Sequence, residues 1–329
     1  MKSYLNICNH ILQTGKCSEN RTGEKVIRVA TGETFVHDME MGFPLLTTKE
    51  MKLKNVATEL EFFIKGITDK QWLRKHGCNI WNKWASKPKW EPVYNLTIKE
   101  FPEAFGREPT EKEMDIIKNK CIDNERDLGP VYGFQWRHFG GEYQFNPERI
   151  NKDPTDNFNP EKPGFDQIAD ILRVLKLPTD VRVKDDKARR MVVSAWNPME
   201  ESKMGLPPCH FAFNLLLDDD RLNLTWTQRS CDMFLGVPYN IASYALLLML
   251  FAKEANLKPG ILKGELHDAH IYENHISQMR EQILRQPYEL PTVEIPDENW
   301  KGMLAWNAAN GFKLQNYKHH SKLQGDVAR

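Results

Sequence analysis

Cys209, Arg229 and Asn240 are the residues whose types and spacing could do chemistry together. Cys209 stands in Leu206-Pro207-Pro208-Cys209-His210, Arg229 in Gln228-Arg229-Ser230-Cys231-Asp232, and Asn240 closes Leu235-Gly236-Val237-Pro238-Tyr239-Asn240. A cysteine is nucleophilic only as its thiolate, and a fixed cation nearby favours that form. Arg229 supplies such a cation. A carboxamide offers an acceptor and two donors, so Asn240 can pair with a ring imide and discriminate it from an amidine-like edge. The combination suits covalent attack on a pyrimidine. Taken alone, Cys209 would more often be a small buried hydrophobe, so the chemistry depends on what brings the three residues together.

Two prolines before Cys209 make a rigid, extended entry. The runs over 211–217 and 221–227 read as two strands joined by the acidic turn Asp218-Asp219-Asp220. A hairpin closes its outer ends on each other, which would place Cys209 and Arg229 at the same end of neighbouring antiparallel strands. Elsewhere the pattern predicts a helix over 3–14, a polar turn carrying Arg21, a strand near 25–30, and a helix over 56–65 stopped by Gly66. That helix carries Glu59. Helical glutamates are seldom buried, yet Leu60, Phe62, Phe63 and Ile64 flank it on most sides and predict partial burial. A strand over 191–196 and a largely apolar, central helix over 240–257, ended by Lys258-Pro259-Gly260, complete the main elements.

At 329 residues the chain exceeds the usual domain size, but no Gly/Ser-rich or Pro-rich linker divides it, and one domain over 1–329 is expected. Forty-five basic residues balance forty-five acidic ones, which argues against a general polyanion-binding surface, and no specific nucleic acid is expected as a partner. Nothing at the start reads as a secretory leader and no apolar run approaches a membrane span, so a cytoplasmic protein without membrane partners is expected. The six cysteines include no Cys-x-x-Cys pair, and His210 and His270 lack zinc-type spacing with them. Free thiols and no metal are therefore expected.

Beyond the central run, the chain resembles the thymidylate synthase family. The resemblance rests on Arg21-Thr22-Gly23, the run from Gly42-Phe43-Pro44 to Lys49, Glu59-Leu60, Ile80-Trp81 with Trp84, and Leu128-Gly129-Pro130-Val131-Tyr132-Gly133. It continues through Arg189-Arg190, Ser194-Ala195-Trp196-Asn197-Pro198, Asn240 to Ala245, and Asp268-Ala269-His270-Ile271-Tyr272. It implies an α+β fold with a large mixed sheet packed by helices, the sheets of two subunits forming a dimer interface. It also implies folate-dependent one-carbon transfer to C5 of dUMP, most simply reductive methylation to dTMP with 5,10-methylenetetrahydrofolate as cosubstrate. Cys209 would add to C6 and make C5 an enol-like carbon. Asn240 would hold O4 and N3-H, Glu59 would act through water as general acid and base, and Tyr132 would help remove the C5 proton. His210 and Cys231 would support them. Arg21, Arg229 and Ser230 would hold the nucleotide phosphate, joined by Arg189 and Arg190 from the partner of a homodimer. His270 and Tyr272 would hold the sugar 3'-hydroxyl. Trp81 and Trp84 would stack on the folate, and Lys49, Asp232 and Gly236 occupy folate-contact positions, Asp232 also lying beside the nucleotide.

Stretches 87–127 and 139–186 fall outside the resemblance. The first is expected to be a small surface subdomain with a helical piece over 111–120; the second a loop-rich insertion and local decoration with an apolar helix over 167–176. Other departures are Glu50, Thr58, Glu61, Asn82, His267 and the terminal Arg329. Most lie toward the folate. They raise an alternative in which water, not hydride, captures the methylene intermediate, as in dUMP hydroxymethylases. A non-catalytic RNA-binding or assembly module is the remaining contrast.

Overall fold

Strands β5 (His210–Asp218) and β6 (Arg221–Asp232) form the expected hairpin, with Asp218 opposite Arg221. Asp219 takes the turn in the left-handed region, φ 52°, which aspartate tolerates. At the open end the Arg229 N–H donates to the Cys209 carbonyl at 2.9 Å, so the two residues meet as the pattern predicts. Along β6 the buried positions alternate, Leu222, Leu224, Trp226 and then Gln228, the period of a strand with one face packed.

The computed structural model describes residues 1–20 and 23–326. In chain order the elements are α1 (Lys2–Thr14), β1 (Lys16–Ser18), β2 (Val26–Val29), β3 (Glu33–Asp38), α2 (Leu53–Ile64), α3 (Lys70–Lys75), α4 (Lys87–Phe105), α5 (Glu111–Asn124) and α6 (Gly133–His138). There follow α7 (Pro147–Lys152), α8 (Gln167–Leu175), α9 (Thr179–Arg182), β4 (Val192–Ser194), then β5 and β6, α10 (Gly236–Glu254), β7 (Lys258–Tyr272), α11 (Ile276–Leu284), β8 (Thr292–Glu294) and β9 (Lys313–Gln315). The fold is α+β: a seven-stranded mixed sheet in the order β1-β2-β7-β6-β5-β4, with β3 also on β7, is packed by helices. β7 pairs parallel with β6 and, on its other edge, antiparallel with β3 and then β2. The parallel pair needs a crossover, which α10 provides. That helix is buried from Val237 to Ala252 on nearly every side, as a helix apolar all round must be.

The helix over 240–257 runs instead from Gly236 to Glu254. Pro238 sits in its first turn, where the missing N–H would have no intrahelical partner anyway. It ends early because Asn256 adopts φ 52° and Leu257 N–H bonds back to Ala252 O. Lys258-Pro259-Gly260 are the first residues of β7, not a break alone. The strand over 191–196 shortens to β4. α2 closes as expected at Gly66, φ 71°, with Gly66 N–H to Phe63 O and Ile67 N–H to Phe62 O, the paired bonds of a left-handed helix stop.

The chain divides into two units, one of Met1–Glu61, Ala169–Val193 and Cys209–Arg329, the other of Phe62–Ile168 and Ser194–Pro208. In the second, stretch 87–127 holds two packed helices where one was expected: α4, despite Pro92 and Pro102 inside it, and α5, opened by a Thr110–Glu113 capping box. Stretch 139–186 carries the short helix α7 in this unit, and along the chain α8 and the short α9 follow, from Ala169 on in the first unit. It is more than decoration. The Asn157 carboxamide donates to Gly66 O at 2.7 Å, and the Tyr143 hydroxyl reaches Asp127 and Thr68.

Candidate active site

In the first unit, the chemistry-bearing residues gather at the open end of the β5–β6 hairpin and on the strand beside it. Cys209 is half-buried, Arg229 exposed and Ser230 half-buried. Cys231, the other cysteine of this cluster, is fully buried with its Sγ donating to Gln228 O, and burial pushes its thiol far above the usual range. An inert thiol below a half-exposed one leaves Cys209 as the nucleophile candidate. No disulfide joins any of the six cysteines, and no metal-holding group of His, Cys, Asp or Glu occurs among the described residues.

Parallel pairing sets Ser230 opposite Asp268 and Asp232 opposite His270, so the residues expected at the phosphate and at the sugar lie on neighbouring strands. His270 is buried, its Nδ1–H donates to Asp268 O at 2.9 Å, and its Nε2 has no hydrogen-bond partner. In the neutral ring that nitrogen is an acceptor, and a buried orphan acceptor fits a hydroxyl donor supplied by a ligand. Tyr272 stands edge-on to His270 at 5.0 Å.

Asn240, in the second turn of α10, is oriented by a residue that sequence reasoning missed. Gln228 donates through Nε2 to Asn240 Oδ1 at 3.1 Å and to Ser230 O at 3.0 Å, while its Oε1 accepts the Trp226 indole N–H at 3.1 Å. The signal was present: Gln228 continues the buried alternation of Leu222, Leu224 and Trp226, where a carboxamide must have partners. His210 is buried against Tyr244, Nδ1 3.0 Å from its hydroxyl, and burial lowers the imidazole pKa to about 3. It is neutral at ordinary pH and suited to hydrogen bonding, not to carrying a proton. Glu59 is half-buried on α2, as expected.

Lys49 and Asp232 face inward. The Lys49 ammonium donates to the Phe234 carbonyl, lies 4.1 Å above the Phe234 ring, and is lowered to about 8 by burial. Asp232 Oδ1 accepts the N–H groups of Phe234 and Leu235, which sets the approach to α10. At Gly236 an added Cβ would meet only Asp232 and Asn240 atoms at 3.7 and 3.8 Å, ordinary contacts, so the protein's own packing does not demand the glycine. The C-terminal segment passes over this region: Tyr317 donates to Leu46 O at 2.7 Å, His320 N–H to Thr47 O at 2.8 Å, and His275 Nε2–H to Asp326 O at 2.9 Å. Arg189 and Arg190 are exposed at the end of a 3-10 turn, Asp186–Arg189. Arg21 and Arg329 lie outside the described residues.

Among the departures, Glu50 and His267 are exposed, and Thr58 is buried with its hydroxyl on Lys54 O. Glu61 is buried and accepts the Ala308 N–H at 2.8 Å.

In the second unit, Tyr132, Trp81 and Trp84 share one aromatic cluster. The Tyr132 ring stacks on Phe63 at 4.7 Å and meets Trp81 edge-on at 5.9 Å; Trp84 meets Trp81 edge-on at 6.0 Å. Lys70, fully buried, ties the tryptophan loop down by donating to Trp84 O at 3.1 Å, Asn82 O at 3.4 Å and Ile122 O at 2.5 Å. Asn82 itself accepts from Arg74 Nε at 2.7 Å.

The mixed sheet presents a half-exposed cysteine beside an arginine, with the Asn240 carboxamide held by Gln228 in the second turn of α10, an arrangement suited to covalent group transfer. The family model described as "Thymidylate synthase" matches residues 2–329. The chain is 38% identical to the thymidylate synthase of Mycoplasma genitalium and 36% identical to that of Mycoplasma pneumoniae, each over the full length of both chains. It is 34% identical to the thymidylate synthase of Listeria monocytogenes over 91% of each. The chain belongs to the thymidylate synthase family, and is a one-carbon transferase.

Proposed function

We propose that the chain converts dUMP to dTMP by reductive methylation, with 5,10-methylenetetrahydrofolate giving both the one-carbon unit and the hydride. The observation that carries the reading is the meeting of Cys209 and Arg229 at the mouth of the β5–β6 hairpin, 2.9 Å apart through their backbones. Cys209 adds to C6, so that C5 gains the nucleophilic character the one-carbon transfer needs, and leaves when the product is released. Asn240, held by Gln228, pairs with O4 and N3-H and stabilises the charge that develops on O4. Glu59 exchanges protons there through water, and Tyr132 assists removal of the C5 proton. His270 and Tyr272 take the 3'-hydroxyl, while Arg21, Arg229 and Ser230 take the phosphate. Trp81 and Trp84 face the folate, with Lys49, Asp232 and Gly236 around it.

The enzyme acts as a homodimer in the cytoplasm, its subunits joined through their sheets, with Arg189 and Arg190 each serving the partner's phosphate site. The curated relatives named above are all thymidylate synthases, which does not favour capture of the methylene intermediate by water. The docked segment from Tyr317 to Asp326 supports the same reading, since exclusion of water protects that intermediate. Among the described residues no helix is long and apolar enough to cross a membrane.

Incubation with dUMP and 5,10-methylenetetrahydrofolate, with mass spectrometry of the nucleotide and absorbance of the folate, tests the proposal. dTMP and dihydrofolate should form in equal amounts. Hydroxymethyl-dUMP formed with unoxidised tetrahydrofolate would overturn it. Sedimentation should give twice the chain mass.

A further inference from the structure

Tyr132 adopts φ 21° and ψ −82° at the start of α6, a backbone conformation that costs a bulky side chain free energy and persists only where its surroundings over-determine it. Those surroundings are specific. Val131 N–H closes on Gly129 O at 2.7 Å, and Gln135 Nε2 donates to Pro130 O at 2.9 Å and to Glu200 at 2.9 Å. Gly129 itself has φ 76°, and a Cβ there would lie 2.1 Å from Lys203 O; a Cβ on Gly133 would lie 2.4 Å from Phe63 O. The turn is wedged between two backbones, and its polar groups have specific partners.

What the N–H of Gly129 finds is Asp127, whose Oδ1 accepts it at 2.6 Å. Asp127 is fully buried, and that same oxygen also takes the hydroxyl of Tyr143, itself 3.0 Å from Thr68 Oγ1. Asn157 donates to Thr68 Oγ1 at 3.1 Å from the other side. A carboxylate withdrawn from water needs such donors to stay fixed. Tyr143 and Asn157 both come from stretch 139–186, so that stretch reaches Asp127 through the Tyr143 hydroxyl and holds Thr68, the other partner of that hydroxyl, through Asn157.

We infer that Asp127 and Tyr143 are positioning residues for Tyr132, and that stretch 139–186 thereby sets the rate of proton removal from C5. The inference rests on the role proposed for Tyr132. Neither residue is assigned contact with substrate. Asp127 fixes the turn at Gly129, Tyr143 fixes Asp127, and the Tyr132 hydroxyl is aimed as a result.

The test is steady-state kinetics on the full-length enzyme with dUMP and [5-²H]dUMP. Asp127→Ala should lower kcat at least about tenfold, the effect of one lost charge-assisted hydrogen bond, with KM for dUMP changed less than about twofold. A deuterium isotope effect on kcat, larger than in the parent, should accompany it, since slowed proton removal becomes visible. Asp127→Asn keeps an acceptor for the Gly129 N–H and should recover most of the rate. Tyr143→Phe, a change that keeps the ring and its packing, should lower kcat about threefold with the same isotope signature, and decides the matter if Asp127→Ala does not fold. Parent kcat in Tyr143→Phe, or loss of kcat and KM together without a larger isotope effect, would overturn the inference. Tyr132→Phe separates the two layers. If it leaves rate and isotope effect unchanged, the role of Tyr132 falls and the inference with it. If it slows proton removal while the Asp127 and Tyr143 variants do not, only the positioning falls.

Discussion

Cys209 and Arg229 are placed by a hairpin whose pairing runs from Asp218 opposite Arg221 to His210 opposite Gln228, broken once by an irregularity between His210 and Ala212, whereas Tyr132 is placed by a turn of positive φ held by side chains from Asp127 and Gln135. In the hairpin the backbone ladder does the positioning, so the side chains at its mouth are free to be chosen for chemistry. In the turn the backbone is strained and the side chains are committed to holding it. The first region should therefore tolerate substitution with loss of function but not of fold. The second should couple the two.

The largest expected effect lies at the hairpin mouth. Cys209→Ser should lower turnover by at least about 10³-fold, because the hydroxyl is far less nucleophilic than the thiolate. Nucleotide affinity by calorimetry should stay within about threefold of the parent, since the phosphate and sugar contacts are elsewhere, and the melting temperature should hold. Retention of more than a few per cent of the activity would remove Cys209 from its role.

Next in size is base choice. Asn240→Asp presents cytosine's amino group and bare N3 with the pattern they prefer, and should shift the dUMP to dCMP preference by about 10²-fold, the scale of a reversed buried hydrogen-bond pair. Competition between the two nucleotides in one reaction measures it. An unchanged ratio would place selectivity outside Asn240.

How legible these regions were in the sequence follows from what holds them. The β5–β6 hairpin was readable because its signals are local: alternation on both strands and an acidic turn between them. α10 was readable as apolar and central, but its start was misplaced because Pro238 reads as a breaker, and only the helix's own unpaired first turn makes it acceptable. α4 was missed for the same reason, with Pro88, Pro92 and Pro102 arguing against a helix that packing on α5 nonetheless stabilises. The residues proposed to carry chemistry, Cys209, Asn240 and Tyr132 among them, stood out by type and by family resemblance. Their supports did not. Gln228 left a trace as a polar residue on a buried face, whereas Tyr143 and Asn157 meet Thr68 and Asp127 across long sequence separations that no local pattern records.

Gln228 sharpens the comparison from the hairpin side. Gln228→Leu keeps the buried volume of the strand face but leaves Asn240 Oδ1 and the Trp226 indole N–H without their partner. One hydrogen bond lost from an oriented carboxamide is about 1–1.5 kcal/mol, so kcat/KM for dUMP should fall about tenfold. Affinity for the phosphate end, read with a nucleotide lacking the O4 acceptor, should be unaffected. An equal loss for both nucleotides would mean that Gln228 supports the strand and not Asn240.

The smallest effect on activity, and the most specific to the turn, concerns Asp127 and pH. Burial raises its carboxyl from the ordinary value of 3.8 to about 6, against the opposing hydrogen bonds from Tyr143 and Gly129. The folded state therefore holds the proton more tightly than the unfolded chain does. By linkage, the stability that Asp127 contributes is fully present below about pH 4 and is lost as the pH rises through about 6, where the carboxylate must ionise while buried. A shift of this size corresponds to at most about 2–3 kcal/mol. Asp127→Asn accepts the same N–H but cannot ionise, so its stability should not decline across that window. Denaturant midpoints measured from pH 4 to pH 8 should show parent and variant diverging as the pH rises, with the variant gaining relative to the parent. The hairpin residues should show no such dependence in Cys209→Ser. Parallel pH profiles for Asp127→Asn and the parent would mean that the turn is held by its backbone after all, as the hairpin is, and the contrast between the two regions would be lost.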